Sequence, residues 1–337
     1  MAMLYIPTIL LNNRIEGYIL SIKFIFDQVE NALYILAKQN KNKTINKSVW
    51  DNLFSSEGYQ LLVKREKDMG NELSKKDFKS FLLDERQLSN YENYMNTLKL
   101  LKDLELEQLL SKTKKYLPKK AKINTTIIPV IKPQNNSFVH EINDKLVLFI
   151  YLEPGMSRAK LENKLIHELH HIGFDDIYSP EKYKYLSQQT QKMIEWTNAF
   201  GEGFAMLAAA GGANIHPNKF DEGLKEKWDS NIKKFNKDFE LIENFFVKIL
   251  KDKFSNEKEL YNRGYELMVN NGGQGSWYTV GWKIAVVIEK IKGKEVLFGC
   301  MSDLTYLYPR YNEAVKDYNK KYNENLKSWS DKIINSF

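Results

Sequence analysis

The stretch KLVLFIYLEPGMSRAKLENKLIHELHHIGF, residues 145–174, contains the two elements that decide the fold. Its first eight residues, KLVLFIYL, are the strongest strand signal in the chain, and Pro154 with Gly155 ends that run. Ser157 then stands where a helix N-cap is expected, and apolar residues recur at helical spacing as far as Gly173, a natural C-cap. The pattern predicts a strand followed directly by a helix.

The rest of the chain is mainly helical in pattern. Strands are predicted just upstream, at 125–131 and 137–142. The first third is expected to be helical, with an early helix at 21–38 and an end at Pro118. Helical patterns downstream cover residues 183–210, 219–251, 258–269 and 278–290.

These elements predict an α+β fold that is mainly α. The N-terminal helical region covers residues 1–118, either as a separate region or as part of a single domain with the rest, and a second region covers residues 119–337. In that second region a small β-sheet precedes the helix that carries the histidines. Because glycine and proline are scarce, at 17 and 8 residues, a sandwich or barrel with many turns is not expected.

Three of the five histidines lie together in that helix, as HELHH at residues 167–171. His167 and His171 are four residues apart, so they project from one face of the helix, about 6 Å from each other, and can reach one ion. Glu168 stands beside the first histidine, where its carboxylate can contact a metal-bound water without binding the metal. This is the physical content of the H-E-x-x-H motif, and it predicts a Zn²⁺ site.

A zinc site needs a further ligand, and Glu202 is the predicted one. It lies inside the helical pattern GEGFAMLAAA, between Gly201 and Gly203. Each glycine costs a helix about 1 kcal/mol relative to alanine, which suggests that this helix packs closely against the helix of the histidines. An exposed glutamate on a helix of small residues is the alternative. A carboxylate in so apolar a stretch, however, needs a partner.

The segment HELHH followed on a second helix by GEGFA resembles the gluzincin class of metallopeptidases. The setting of the glutamate is similar to the E-G-F-A segment of aminopeptidase-N-like enzymes. Over most of its length the sequence also resembles an uncharacterised bacterial family of zinc-dependent peptidases, through HELHHIGF, EGFAMLAAAGG and WYTVGWKIAVVIEK. The resemblance implies a zincin-like catalytic domain in which His167, His171 and Glu202 bind zinc. No Gly-x-Met-Glu-Asn segment is present, so a specificity for free amino ends is not carried over.

Two further roles follow from the chemistry of peptide hydrolysis. Glu168 is expected to take a proton from the attacking water and deliver it to the departing amine. Tyr278 is the candidate donor to the oxyanion, because it follows the glycine-rich loop NNGGQG at residues 270–275 and opens a helix. A tyrosine that only packs is the alternative, and His216 is a weaker rival that is expected to be a loop residue.

Several other polar residues have a structural and a functional interpretation. His170 is expected to pack or to make an outer contact. Asp175 and Asp176 would either orient a ligating histidine or simply solvate the end of the helix. His140 is expected on the surface of the sheet, and a substrate peptide could pair beside it if its strand is the edge. The order of the strands is left open by the sequence.

Composition argues against other classes of protein. The net charge is +7, from 50 Lys+Arg and 43 Asp+Glu, but the lysines are interleaved with acids and no nucleic-acid partner is expected. Cys300 is the only cysteine, so no internal disulfide forms. The apolar start is interrupted by Asn12, Asn13, Arg14 and Glu16, so neither a signal peptide nor a membrane anchor is expected and the predicted location is cytoplasmic.

The sequence thus predicts a zinc-dependent hydrolase, most simply a peptidase that acts on peptides or proteins. The alternative is a binding or regulatory protein that keeps a zincin scaffold without proteolysis. The presence of Glu168 argues against that alternative, because a scaffold that only binds has no use for a general base. The oligomeric state and the substrate specificity have no readable signature.

Overall fold

The computed structural model describes residues 10–15, 18–270 and 274–337, with side chains described from residue 22 onward. The predictions made for residues 1–9 lie outside the described residues. The strands are β1 (Leu10–Ile15), β2 (Tyr18–Phe24), β3 (Thr125–Val130), β4 (Phe138–Ile142) and β5 (Lys145–Tyr151). The helices are α1 (Asp27–Asn40), α2 (Lys47–Ser55), α3 (Glu57–Asp68), α4 (Lys75–Leu82), α5 (Glu85–Ser89), α6 (Tyr91–Lys102), α7 (Leu106–Lys114), α8 (Arg158–Ile177), α9 (Gln188–Thr197), α10 (Gly201–Ala210), α11 (Glu222–Ile232), α12 (Phe235–Leu250), α13 (Glu257–Val269), α14 (Ser276–Lys292), α15 (Lys294–Ser302), α16 (Leu307–Tyr322) and α17 (Asp331–Ile334).

The chain forms two compact units, each built from two separate stretches of sequence. The first unit comprises Met1–Leu106 and Lys122–Glu168, and the second comprises Glu107–Ala121 and Leu169–Phe337. The chain passes from the first unit to the second within α8, which is one continuous helix. The two units are defined by how residues pack together and do not test where domains begin and end. The division into 1–118 and 119–337 therefore stays a prediction. Among the described residues, no helix combines the length and the apolar character needed to cross a membrane.

The sheet belongs to the first unit and has the strand order β1-β2-β3-β5-β4. The strands β2, β3 and β5 run parallel, whereas β1 and β4 are antiparallel to their neighbours. Asn143 and Asp144 have φ angles of 52° and 57°, as expected for the two-residue turn that joins β4 to β5 in a hairpin. Among the described strands, the order leaves β4 at an edge of the sheet. His140 lies on β4, with its Nε2 3.3 Å from Asp68 Oδ2.

Apolar runs explain why the central strands were predictable. Most residues of β3 and β5 are buried, because helices cover the sheet where it would otherwise meet water. Helix α1 packs on β3, and α3 packs on β4. One hydrophobic cluster of this unit consists of Ile25, Leu62, Ile128, Val130, Ile142, Val147 and Phe149.

The expectation that the first third is helical is confirmed from Asp27 onward, but it is wrong for the residues before it. Residues 18–24 form β2, and the helix predicted from residue 21 begins only at Asp27. A short apolar run is compatible with either structure, and a distant partner decides between them. Here residues 22–24 pair with Thr125–Ile127 of β3, about a hundred positions along the chain. The α+β, mainly α class is confirmed.

A second difference concerns the helical pattern at 183–210. It divides into a short 3₁₀ turn at Pro180–Tyr183, α9, a 3₁₀ turn at Asn198–Phe200, and α10. Its predicted end is right, because Gly211 has a φ of 83° and closes α10 in the left-handed conformation that favours glycine.

Lys132 is a buried cation near the edge of the sheet. Its side chain is only 2% exposed. Its ammonium donates hydrogen bonds to the backbone oxygen of Gln134, at 2.5 Å, and to Asn136 Oδ1, at 2.6 Å. Burial lowers the pKa of Lys132 to about 8, and the carboxylate of Glu66 partly opposes that effect. The two hydrogen bonds of Lys132 thereby stabilise the loop between β3 and β4.

We expect the contribution of Lys132 to stability to rise with pH. Its pKa is about 8 in the folded protein and about 10.4 in an unfolded chain. Between these values the unfolded chain binds more protons, so the penalty for burying the ammonium is full below pH 8 and is relieved as the pH increases. The free energies of unfolding of the wild type and of Lys132→Met would be measured with denaturant at pH 7 and at pH 10. The wild-type value minus the variant value should be larger at pH 10 than at pH 7 by about 2 kcal/mol. An unchanged difference would contradict this reading.

Candidate metal site

The helix α8 carries the histidines and begins as predicted. Ser157 accepts a hydrogen bond from the backbone nitrogen of Lys160 at its Oγ, at 3.2 Å. The predicted end at Gly173 is wrong, because the helix continues to Ile177 with Gly173 inside it. Phe174 and Ile177 continue the apolar spacing and are 2% and 5% exposed, so their burial extends the helix by another turn.

His167, His171 and Glu202 converge. One nitrogen of each histidine and one carboxylate oxygen all lie within 4.8 Å of one another. His171 Nε2 is 3.2 Å from Glu202 Oε2, and these side chains are 23% and 21% exposed. Two imidazole nitrogens and a carboxylate oxygen form a donor set that zinc accepts while keeping one position open. Two ligands of a tetrahedral zinc ion lie about 3.4 Å apart. The 3.2 Å between His171 Nε2 and Glu202 Oε2 is close to that separation, so this pair of donors fits the ion.

Gly201 explains how α10 approaches α8 at this point. A Cβ atom at this position would lie 2.9 Å from Cε1 of Phe174 and 4.0 Å from Nδ1 of His171. The ring of Phe174 also meets Phe204 edge to face, with centroids 5.6 Å apart. The close packing that the sequence suggested against the histidine helix therefore occurs at Gly201.

Gly203 has a different neighbour. A Cβ atom there would lie 2.0 Å from the backbone nitrogen of Trp282 and 2.4 Å from the carbonyl carbon of Gly281, both on α14. Gly281 is also restricted, though less tightly, since its Cβ would lie 2.8 Å from the backbone oxygen of Phe200. The glycines on either side of Glu202 thus serve two separate contacts, and the glutamate is held between them.

We expect Gly203→Ala to destabilise the protein by about 2 kcal/mol or more. Alanine normally favours a helix by about 1 kcal/mol over glycine, but overpacking against a neighbouring backbone costs up to about 3 kcal/mol. Gly299→Ala is the matched control, because a Cβ at Gly299 on α15 meets nothing within 4 Å. Thermal unfolding should show a lower melting temperature for Gly203→Ala and a slightly higher one for Gly299→Ala, each relative to the wild type. Equal changes in melting temperature would contradict the packing of Gly203 against α14.

Glu168 is 9% exposed and lies one helical turn after Lys164. Burial lowers the pKa of Lys164, and the carboxylates of Glu153 and Glu168 act in the opposite direction. The ammonium of Lys164 also lies 4.0 Å from Glu153 Oε2 and 5.7 Å from the centroid of the Tyr151 ring. The candidate general base therefore has a half-buried cation nearby. The sequence reasoning missed this residue, although its i, i+4 spacing to Glu168 was visible.

The neighbouring polar residues have mostly structural surroundings. His170 is fully buried, and its Nε2 is 3.0 Å from the backbone oxygen of Tyr116, as expected for a packing residue. Asp175 and Asp176 are exposed near the end of α8, and their role in orienting a ligand stays a prediction. His216 is a loop residue, as expected, with its Nε2 3.0 Å from Asp229 Oδ1.

Tyr278 lies in the first turn of α14, the helix against which Gly203 packs, and it is half-buried. Its backbone nitrogen donates to the oxygen of Gly275 at 3.1 Å. It is not one of the three clustered side chains, and its role as an oxyanion donor stays a prediction. Residues 271–273 of the glycine-rich loop lie outside the described residues.

Comparison with known proteins adds one finding. Residues 50–320 match the model of a family described as "Putative zinc dependent peptidase (DUF5700)". No curated protein and no solved structure matches the chain. The family described is the one that the sequence resembles. Its description, together with the cluster of His167, His171 and Glu202, confirms Zn²⁺ as the predicted cofactor.

Proposed function

The chain belongs to this family of zinc-dependent peptidases, and from that premise we propose that it hydrolyses peptide bonds at a gluzincin-type centre. His167, His171 and Glu202 hold the zinc ion. The observation that carries the proposal is the convergence of one ligand atom from each of these residues within 4.8 Å. The i, i+4 spacing on α8 and the glycine contacts of α10 explain why the three side chains meet.

Zinc bound at this centre supplies a Lewis acid, which polarises the scissile carbonyl and makes water more acidic. Glu168, beside the ligands on α8, takes up a proton from the attacking water. It then passes that proton to the nitrogen of the departing amine as the carbon–nitrogen bond breaks. The burial of Glu168, which is 9% exposed, keeps bulk water from competing for that proton.

Tyr278 is the proposed donor to the oxyanion, and the packing of α10 against α14 supports it. On α14, Trp277 packs on Phe200, with ring centroids 5.3 Å apart. Tyr278 is the next residue, about 100° further round the helix. Gln274, four residues before Tyr278, has its Nε2 3.8 Å from the sulfur of Met206, and Met206 follows Glu202 by one turn of α10.

The edge strand β4 is the proposed docking place for the substrate backbone. In a hairpin with a two-residue turn, the flanking pair Ile142 and Lys145 is hydrogen-bonded, and pairing then alternates along the strands. Val139 and Glu141 consequently direct their backbone N–H and C=O groups away from β5. An extended peptide can pair with such groups as an added strand.

We expect peptide cleavage to stop when zinc is removed and to return when zinc is restored. The protein would be stripped with a chelator, dialysed, and reloaded with one equivalent of zinc. Mass spectrometry of a peptide library incubated in water labelled with heavy oxygen should show one labelled atom in each new carboxyl terminus, because hydrolysis transfers a water oxygen to the acyl carbon. If the protein binds one zinc ion per chain and cleaves no peptide, the proposal fails and a binding protein on the same scaffold takes its place.

A further inference from the structure

A pair of amide side chains joins two loops of the second unit. Asn218 Nδ2 donates to Gln274 Oε1 at 2.7 Å, and Gln274 Nε2 donates to Asn218 Oδ1 at 3.2 Å. Asn218 is only 8% exposed. Because each amide is both donor and acceptor to the other, the geometry of the pair is specific, and a residue without an amide at either position loses both hydrogen bonds. We call Asn218 and Gln274 the amide clamp.

The Asn218 side of the clamp is itself anchored. The backbone nitrogen of Asn218 donates to His216 Nδ1 at 3.0 Å. That bond makes Nδ1 an acceptor, so in the neutral ring the proton sits on Nε2, which is 3.0 Å from Asp229 Oδ1 on α11. The loop after α10, which carries Asn218, is thus hydrogen-bonded to α11 through His216 as well as to Gln274.

The Gln274 side of the clamp leads directly into α14. Asn270 accepts a hydrogen bond from the backbone nitrogen of Ser276 at 2.8 Å and donates one to its hydroxyl at 2.7 Å. Gly275 lies so close to α13 that a Cβ atom would be 2.4 Å from the backbone oxygen of Leu267. The turn before α14 is therefore tightly folded, and Gln274 is the side chain that it extends toward α10.

The clamp also contacts the helix that carries Glu202. Gln274 Nε2 lies 3.8 Å from the sulfur of Met206, one turn of α10 after Glu202. Tyr278 lies one turn after Gln274, and its backbone nitrogen donates to Gly275. Tyr278 is thus four residues along the chain from a side chain that contacts the helix of Glu202.

We propose that Asn218 and Gln274 are positioning residues that hold Tyr278 in register with the zinc ligand Glu202. This inference rests on the proposed function, in which Tyr278 donates to the oxyanion. The clamp takes no part in the chemistry. The clamp fixes the distance between the Tyr278 hydroxyl and the oxyanion of the substrate. Hydrolysis is sensitive to this distance, because the hydroxyl must donate a hydrogen bond to negative charge that develops only in the transition state.

Four variants test the clamp: Gln274→Ala, the exchanged pair Asn218→Gln with Gln274→Asn, Tyr278→Phe, and Gln274→Ala combined with Tyr278→Phe. The exchanged pair keeps both amides and the total number of methylene groups, so it is the conservative rescue. Each variant would be measured for zinc content, for kcat and KM, and for hydrogen exchange of the amides at residues 276–279 and 286–288 of α14.

We expect Gln274→Ala to keep its zinc, to lower kcat about tenfold with little change in KM, and to speed exchange at 276–279 but not at 286–288. The exchanged pair should restore much of kcat and much of the slow exchange at 276–279. In the Tyr278→Phe background, Gln274→Ala should have almost no further effect on kcat, because the hydroxyl that the clamp positions is already absent.

Two results would overturn the proposal. One is unchanged exchange at 276–279 in Gln274→Ala. The other is an equal loss of kcat whether residue 278 is tyrosine or phenylalanine, since the clamp would then act through something else. If the zinc-loaded wild type cleaves no peptide, the proposed function fails, and hydrogen exchange alone then tests the clamp. Faster exchange at 276–279 in Gln274→Ala, reversed in the exchanged pair, would support the clamp. Unchanged exchange would refute it.

Discussion

Glu168→Gln should keep its zinc and lose turnover by at least about a hundredfold, the lower end of what a general base contributes. Glutamine has nearly the shape of glutamate but cannot take up the proton of the attacking water. Because Glu168 lies beside His167 without being one of the three converging donors, its replacement leaves their donor atoms unchanged. Elemental analysis would show the zinc, and kcat/KM on a cleaved peptide would show the loss.

Glu162→Gln is the matched control for this prediction. Glu162 lies on the same helix, is partly buried, and is not one of the three converging residues. The control separates the role of Glu168 from the general effect of removing a negative charge from α8. The control should keep both zinc and turnover close to those of the wild type. Near-normal turnover of Glu168→Gln, with zinc bound, would show that another group accepts the proton.

The elements that the sequence predicted well are those whose signals are local. Continuous apolar runs marked β3 and β5, because a strand covered on both sides needs no polar face. The strand β2 was missed because its identity depends on pairing with β3 about a hundred residues away. No window of sequence around Ile22 contains that information, and its apolar residues suit a helix as well.

The same distinction applies to the candidate site. His167 and His171 are predictable from helical spacing, which is a local property of α8. Glycines on either side of Glu202 indicated close packing, but the sequence could not show that Gly203 faces α14 while Gly201 faces α8. The amide clamp of Asn218 and Gln274 was not predicted either, since 56 residues separate the two partners.

Removal of the carboxylate of Glu202, the proposed third ligand, should have the second large effect. Mutation of groups that merely support a zinc ligand typically costs ten- to a hundredfold in affinity. Loss of the carboxylate of Glu202 should therefore weaken zinc binding by more than about a hundredfold. Glu195→Ala is the matched control, because Glu195 is an exposed glutamate on α9, just upstream of α10.

The most direct test of the zinc centre is the zinc content per chain of the wild type and Glu202→Ala, purified in parallel and titrated against a competing chelator. We expect close to one zinc ion per chain in the wild type and in Glu195→Ala, and a marked loss in Glu202→Ala. Equal zinc affinity in Glu202→Ala and the wild type would contradict the three-ligand centre. So would a wild type that takes up no zinc even when it is supplied.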